Sequence, residues 1–211
     1  YVSNNTAVYD GGGIFNTNGI VNLNDDSSVS YNIAAYTGGG IYNYEYGTLN
    51  LNDNSSVSYN TADSGSGIYS HAESMVNLNH NSSVSDNTAI KLGGGIYTVD
   101  NSTVNLNDNS HLNYNTAEKG GGIFNYFNST VNLNDDSYIS GNTAYDGGGI
   151  YNYYYGIVNL YNGSIDHNIA TSPAPSGGGI FNLGSIYGDI SIVHDNTPDQ
   201  IANDVDWLPE I

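Results

Sequence analysis

Seven times along this 211-residue chain a run of small residues ends in isoleucine. The last glycine of each "GGGI" or "GSGI" is Gly13, Gly40, Gly67, Gly95, Gly122, Gly149 or Gly179, spaced by 27, 27, 28, 27, 27 and 30 residues. A second marker is the asparagine of "NTA" and its variants. It falls at Asn5, Asn32, Asn60, Asn87, Asn115, Asn142, Asn168 and Asn196, with spacings of 26 to 28. Two independent markers keep one period, and self-similarity at such a period means a solenoid, a propeller or an array.

The choice among these follows from periodicity within one unit. "IVNLN" (Ile20 to Asn24) sets Val21 and Leu23 on one face and Asn22 and Asn24 on the other. "SVSYN" buries Val29, and "GGIFN" turns Ile14 inward. Alternation of this kind is a strand signature. A propeller blade needs four strands and about 40 residues. The reading is therefore all-β: a parallel β-helix of about seven coils of 27 residues, with three short strands per coil. Coils stacked at about 4.8 Å make a rod of about 34 Å.

Stacking explains the residue choices. Ile14, Ile41, Ile68, Ile96, Ile123, Ile150 and Ile180 form one inward column. Leu23, Leu51, Leu78, Leu106, Leu133 and Leu160 form a second, and Val29, Val57, Val84, Leu112, Ile139 and Ile165 a third. Asn32, Asn60, Asn87, Asn115, Asn142 and Asn168 read as an inward amide ladder at a bend, each amide bonding to its copies above and below. The alanine after each "NT" step is small where the chain turns, and the glycines before each Ile permit a corner with positive φ.

The chain carries a net charge of −19 with two basic residues, Lys91 and Lys119. Nucleic acid is excluded as a partner, because neutralising phosphates needs clustered Lys and Arg. There is no cysteine, hence no disulfide or thiolate site, and no apolar run long enough for a transmembrane helix. No leader pattern shows in "YVSNNTA", which matches "SVSYN" and enters mid-coil, so a mature or trimmed form with an open first coil is expected. Residues 1–194 read as repeats and 195–211 as a cap, with Trp207 covering the last coil.

"GGGI[FY]N" resembles the GGA(I/L) motif of the polymorphic outer-membrane protein repeats, and "VSYN", "VSDN", "LNYN" and "ISGN" resemble their FxxN motif. "DNTPDQIANDV" is similar to the ending of related microbial β-helix repeat proteins. The resemblance spans nearly the whole chain. It implies a right-handed β-helix at a cell surface, of the kind found in adhesins and large secreted proteins.

Several residue groups are candidates for function. Asp25, Asp26, Asp53 and Asp108, Asp135, Asp136 align as two acidic trios, a pattern that suits Ca²⁺ or a solvated Asx turn. Two outward asparagine ranks, Asn22 to Asn159 and Asn24 to Asn134, either stabilise a sheet face or template a repetitive ligand. The residue after each ladder Ile is aromatic, and alternation points it outward. Tyr44, Tyr46, Tyr126, Phe127, Tyr153, Tyr154 and Tyr155 sit beside it as a partner or glycan surface. Asn4, Asn54, Asn81, Asn101, Asn128 and Asn162 head N-x-S/T sequons, acceptors if an N-glycosylating cell secretes the chain. An enzyme is the lesser reading. The fold hosts polysaccharide lyases and hydrolases, but here the aspartates recur by repeat and the five histidines sit at differing repeat positions. The expected role is an extracellular structural or adhesive solenoid with no resident cofactor other than Ca²⁺. Its expected partners are other copies of itself, in an end-to-end filament, or surface proteins and glycans.

Overall fold

The computed structural model describes residues 1–173 and 175–203, and Trp207 lies outside them. The chain winds as a parallel β-solenoid of four sheets, to which successive coils contribute one strand each. Sheet one starts with Val2–Ser3, sheet two with Thr6–Ala7, sheet three with Ile14–Thr17 and sheet four with Ile20–Leu23. Every strand pairs in parallel with its copy one coil away, as Ile68 does with Ile41 and Ile96.

Sheet two corrects the expected three strands per coil by adding another. It is built from the "NTA" step, expected as a turn, where Ala62 pairs with Ala89 and lies buried inside Thr61–Ser64. The first strands of this sheet are two residues long with one inward side chain, so no alternation marks them in the sequence.

The three expected apolar columns are all present, and Leu49, Val76, Val104, Val131 and Val158 add a fourth. From the second coil to Ile180 the isoleucine column is fully buried. Burying each such side chain stabilises the fold by roughly 1.5–3 kcal/mol. The glycines before it serve two ends. The first of each triplet takes positive φ, as Gly38 does at +64°. The third is demanded by coil-to-coil approach, since a Cβ on Gly40 would stand 2.7 Å from the Gly67 carbonyl oxygen.

The corner asparagines form the inward ladder. Asn115 shows the pattern. Its Oδ1 accepts from the Asn87 main-chain N–H (3.0 Å) and from Asn87 Nδ2 (3.0 Å). Its Nδ2 donates to the Val84 carbonyl (3.0 Å) and to Asn142 Oδ1 (3.0 Å). Four bonds use the full capacity of one carboxamide. The column ends on Gln200, whose Oε1 accepts from Asn196 N (3.0 Å) and Nδ2 (3.1 Å) in place of a further asparagine.

A second inward ladder runs through Asn16, Asn43, Asn125, Asn152, Asn182 and Asn203, at 2.7–2.9 Å where neighbours are both Asn. These residues stand two after the ladder Ile and share its face, so alternation places them inside too. Ser70 and Thr98 interrupt the column, and their hydroxyls and Asn125 Oδ1 are buried with no hydrogen-bond partner. Both inner ladders donate toward the following coil. The outer ranks donate backward, as from Asn77 to Asn50 (2.8 Å) and from Asn79 to Asn52 (2.9 Å).

Two substitutions test this account by urea unfolding. Thr98→Asn supplies a donor to Asn125 Oδ1 and should stabilise by about 1 kcal/mol. Asn115→Leu strips partners from four buried groups and should cost about 3 kcal/mol or more. A midpoint unmoved by either contradicts the ladder's role.

Candidate binding surface

The aromatic after each ladder Ile builds one continuous column on the outside of sheet three. Phe15, Tyr42, Tyr69, Tyr97, Phe124, Tyr151 and Phe181 follow one another with centroids 4.8–5.2 Å apart. Most neighbours stack; Tyr97 stands edge-on to Tyr69 and to Phe124. The expectation that the whole column faces solvent fails at its C-terminal end. Phe15 is 56% exposed, but Phe124, Tyr151 and Phe181 are 4%, 6% and 8% exposed. They point away from the main core into a second apolar cluster with Leu92, Tyr97, Tyr126, Tyr153 and Leu183. Leu92 reaches it because the strand Thr88–Leu92 is longer than its counterparts in the first coils.

The loop aromatics fall on either side of this boundary. Tyr126 and Tyr153 stack at 5.5 Å and join the cluster. Phe127 stacks on Tyr154 at 5.9 Å, and Tyr155 meets Tyr154 edge-on at 4.8 Å. Tyr46, Phe127, Tyr154 and Tyr155 are exposed, and all four have positive φ, between 40° and 62°. Tyr44 lies three coils nearer the N-terminus than the Tyr126 group, tilted against Tyr42 (5.9 Å) and the His71 ring (5.4 Å). Tyr31 and Tyr59, also exposed and at positive φ, stack at 4.9 Å on sheet one's corner. They were not singled out from the sequence, although "SVSYN" recurs there.

The acidic trios occupy the exposed turn between sheets four and one, where Asp25, Asp53, Asp108, Asp135 and Asp136 adopt positive φ, a conformation Asp tolerates well. Among the described residues, no three His, Asp or Glu side chains converge as a metal-binding group. The turns are bridged by polar pairs instead: Asn54 donates to Asp26 (3.4 Å), Asn162 donates to Asp136 (3.1 Å), and His80 lies 3.4 Å from Asp108. The six sequon asparagines are all exposed. Four of the five histidines sit beside a carboxylate, with His71–Asp100, His167–Asp166 and His194–Asp195 joining the pair above. For His80 and Asp108, shared membership of one repeat column is the sequence signal.

Among the described residues, Ser, His and Asp meet once. Asp166 Oδ1 accepts from Ser140 (2.6 Å) and lies 2.7 Å from His167 Nδ1, while Oδ2 accepts from Ser164 (2.7 Å). Both serine hydroxyls donate to the carboxylate and not to the imidazole, unlike the serine–histidine contact that activates a nucleophile. Hydrogen bonds from Ser140, His167 and Ser164 outweigh burial and hold the Asp166 carboxyl below its usual range. The hydrogen bond to Asp166, then its charge, raise the His167 imidazole above its own.

A cleft of about 490 Å³ runs beside the C-terminal part of the aromatic column. Lys91, Leu92, Glu118, Lys119, Phe124, Tyr151, Tyr153, Phe181 and Leu183 line it. The chain's two lysines thus stand at one place. Lys91 pairs with Asp63 (3.1 Å), and Lys119 Nζ lies 5.1 Å from the Tyr151 ring centroid.

Taken together, the four-sheet coil, the amide ladders and the ranks of displayed side chains define a parallel β-solenoid repeat protein. Residues 81–99 and 136–153 match the Chlamydia polymorphic membrane protein (Chlamydia_PMP) repeat. Together with the four-sheet solenoid, these two matches support a β-helix repeat protein of polymorphic membrane protein type, which fits a surface location and an adhesin-like structural role. No curated protein and no solved structure matches it. Among the described residues, no helix is long and apolar enough to cross a membrane.

Two titrations check the electrostatics. Burial, then the charge of Tyr126, pushes the Tyr97 phenol up to about 12, and burial raises Tyr69 further. Unfolded tyrosine ionises near 10. Between the two values the unfolded chain releases protons that the folded chain keeps, so stability should fall as pH rises through that window. Alkaline absorbance titration should show a late class of tyrosines that Tyr97→Phe and Tyr69→Phe deplete. For the histidine, Asp166→Asn should lower the NMR-observed titration midpoint of His167; an unchanged midpoint removes the pairing.

Proposed function

We propose that this chain is a non-catalytic, extracellular adhesive solenoid that meets its partner through the aromatic turns next to sheet three. The observation that carries the reading is conformational. Tyr46, Phe127, Tyr154 and Tyr155 hold positive φ on an exposed surface. That region is costly for a bulky side chain, by roughly 1–2 kcal/mol per residue. The equivalent turns of other coils carry Asn18, Asp100 and Asn101, which tolerate it better, or the non-aromatic Ala72 and Glu73. Retaining large rings where asparagine serves the fold better points to display, since strained positions cluster at functional sites. Large exposed rings also supply contact area at low entropic cost and recur in binding surfaces.

The polymorphic membrane protein repeats support a surface setting, and the net charge of −19 suits a solvated exterior. A general acid needs its pKa raised. The resolved carboxylate shifts, at Asp166 and Asp189, go downward.

The test is a quadruple variant, Tyr46→Asn, Phe127→Asn, Tyr154→Asn and Tyr155→Asn. Attachment of the purified protein to cells or glycan-coated surfaces should fall at least about tenfold, the effect of losing about 1.4 kcal/mol. Thermal stability should hold or rise, because asparagine suits these turns. Undiminished attachment by a folded variant defeats the proposal.

A further inference from the structure

We infer that the cleft between the lysines and the C-terminal end of the aromatic column is a subsite for a carboxylate-bearing pyranose, the uronic-acid class of acidic glycan. Charge is the first argument. The chain holds two basic residues against 21 acidic ones, and both basic residues line this single cleft. Lys91 is already neutralised by Asp63. Lys119 has no carboxylate within ion-pair distance among the described residues; its ammonium lies against the Tyr151 ring. An ammonium outside any direct ion pair, even with Asp146 as its register partner, is unusual in so acidic a protein, and it marks where one anionic group is welcome.

The second argument is the wall. Phe124, Tyr151 and Phe181 stack within 15–18° of parallel, so their faces largely cover one another and what they offer the cleft they line is mainly ring edge. Aromatic edges carry the positive end of the ring quadrupole and favour oxygen acceptors. Leu92 and Leu183 complete the lining with apolar surface that suits the C–H face of a sugar ring, and Glu118 offers an acceptor for hydroxyl groups. A volume of about 490 Å³ is in the range of small-molecule sites and holds one or two pyranose rings. The Lys119 ammonium then pairs with the sugar carboxylate while its hydroxyls bond to Glu118.

The inference rests on the surface reading only for where such a glycan is met. The aromatic turns Phe127, Tyr154 and Tyr155 are not among the cleft-lining residues, so each site can fail without the other. The experiment is calorimetric titration of the full chain with a tetramer of galacturonic acid, its neutral galactose counterpart, and a tetraglutamate peptide. The uronate should bind tightest, and raising salt to about 0.5 M should weaken it. Lys119→Gln should cost about tenfold or more, as expected for one charge-assisted hydrogen bond. Lys119→Arg should retain binding, and circular dichroism should show both variants folded. Equal binding of the neutral tetramer, tighter binding of the peptide, no uronate binding, or an unaffected Lys119→Gln protein would each overturn the assignment.

Discussion

The solenoid depends on a buried carboxamide that has nowhere else to find partners. At each corner an asparagine is turned inward next to a residue of positive φ, such as Tyr114 before Asn115. Left alone, such a group costs more than a typical hydrogen bond returns. The next coil removes that cost by presenting the same group at the same height. The requirement is mutual, so it fixes register: a coil displaced by one residue would orphan its own asparagine and its neighbours'. Apolar columns supply most of the stabilising free energy but tolerate a slip more readily, since an apolar side chain needs no specific partner and Val, Leu and Ile replace one another along the Val29 column.

The interior thereby settles what the outside can show. Where a coil closes on asparagine, glycine and isoleucine, the residues between these anchors are free to vary, and they do so on the turns next to sheet three. Phe127, Tyr154 and Tyr155 occupy places where Asp100 and Asn101 serve an earlier coil. The cleft arises the same way: lengthening one strand to Leu92 covers rings that stay half open nearer the N-terminus. Function in such a molecule is written in departures from the repeat, laid over a framework that forbids departures elsewhere.

Much of this was legible in the order of residues. The period and the isoleucine, leucine and valine columns follow from spacing and alternation alone, because every coil repeats the same evidence. The Thr–Ala strand was not legible, since one inward alanine carries no periodicity. Nor was the second inner ladder through Asn16 and Asn43 recognised, although its face follows from the neighbouring isoleucine. The covering of Phe124, Tyr151 and Phe181 had no local sign at all. It is produced by Leu92 and Leu183, whose approach depends on strand lengths in different coils. The lysine pairing across Lys91 and Lys119 emerges only when two coils are superposed.

The opposed directions of the amide ladders have an electrostatic meaning. A carboxamide carries a dipole close to that of a peptide unit, and aligned peptide dipoles in a helix sum to partial charges at its ends. In this rod the two inner columns point one way and the two outer ranks the other. Their moments largely cancel, coil by coil. Adding or deleting a coil therefore adds little net dipole, and the length of such a solenoid is free to drift while its interior stays the same.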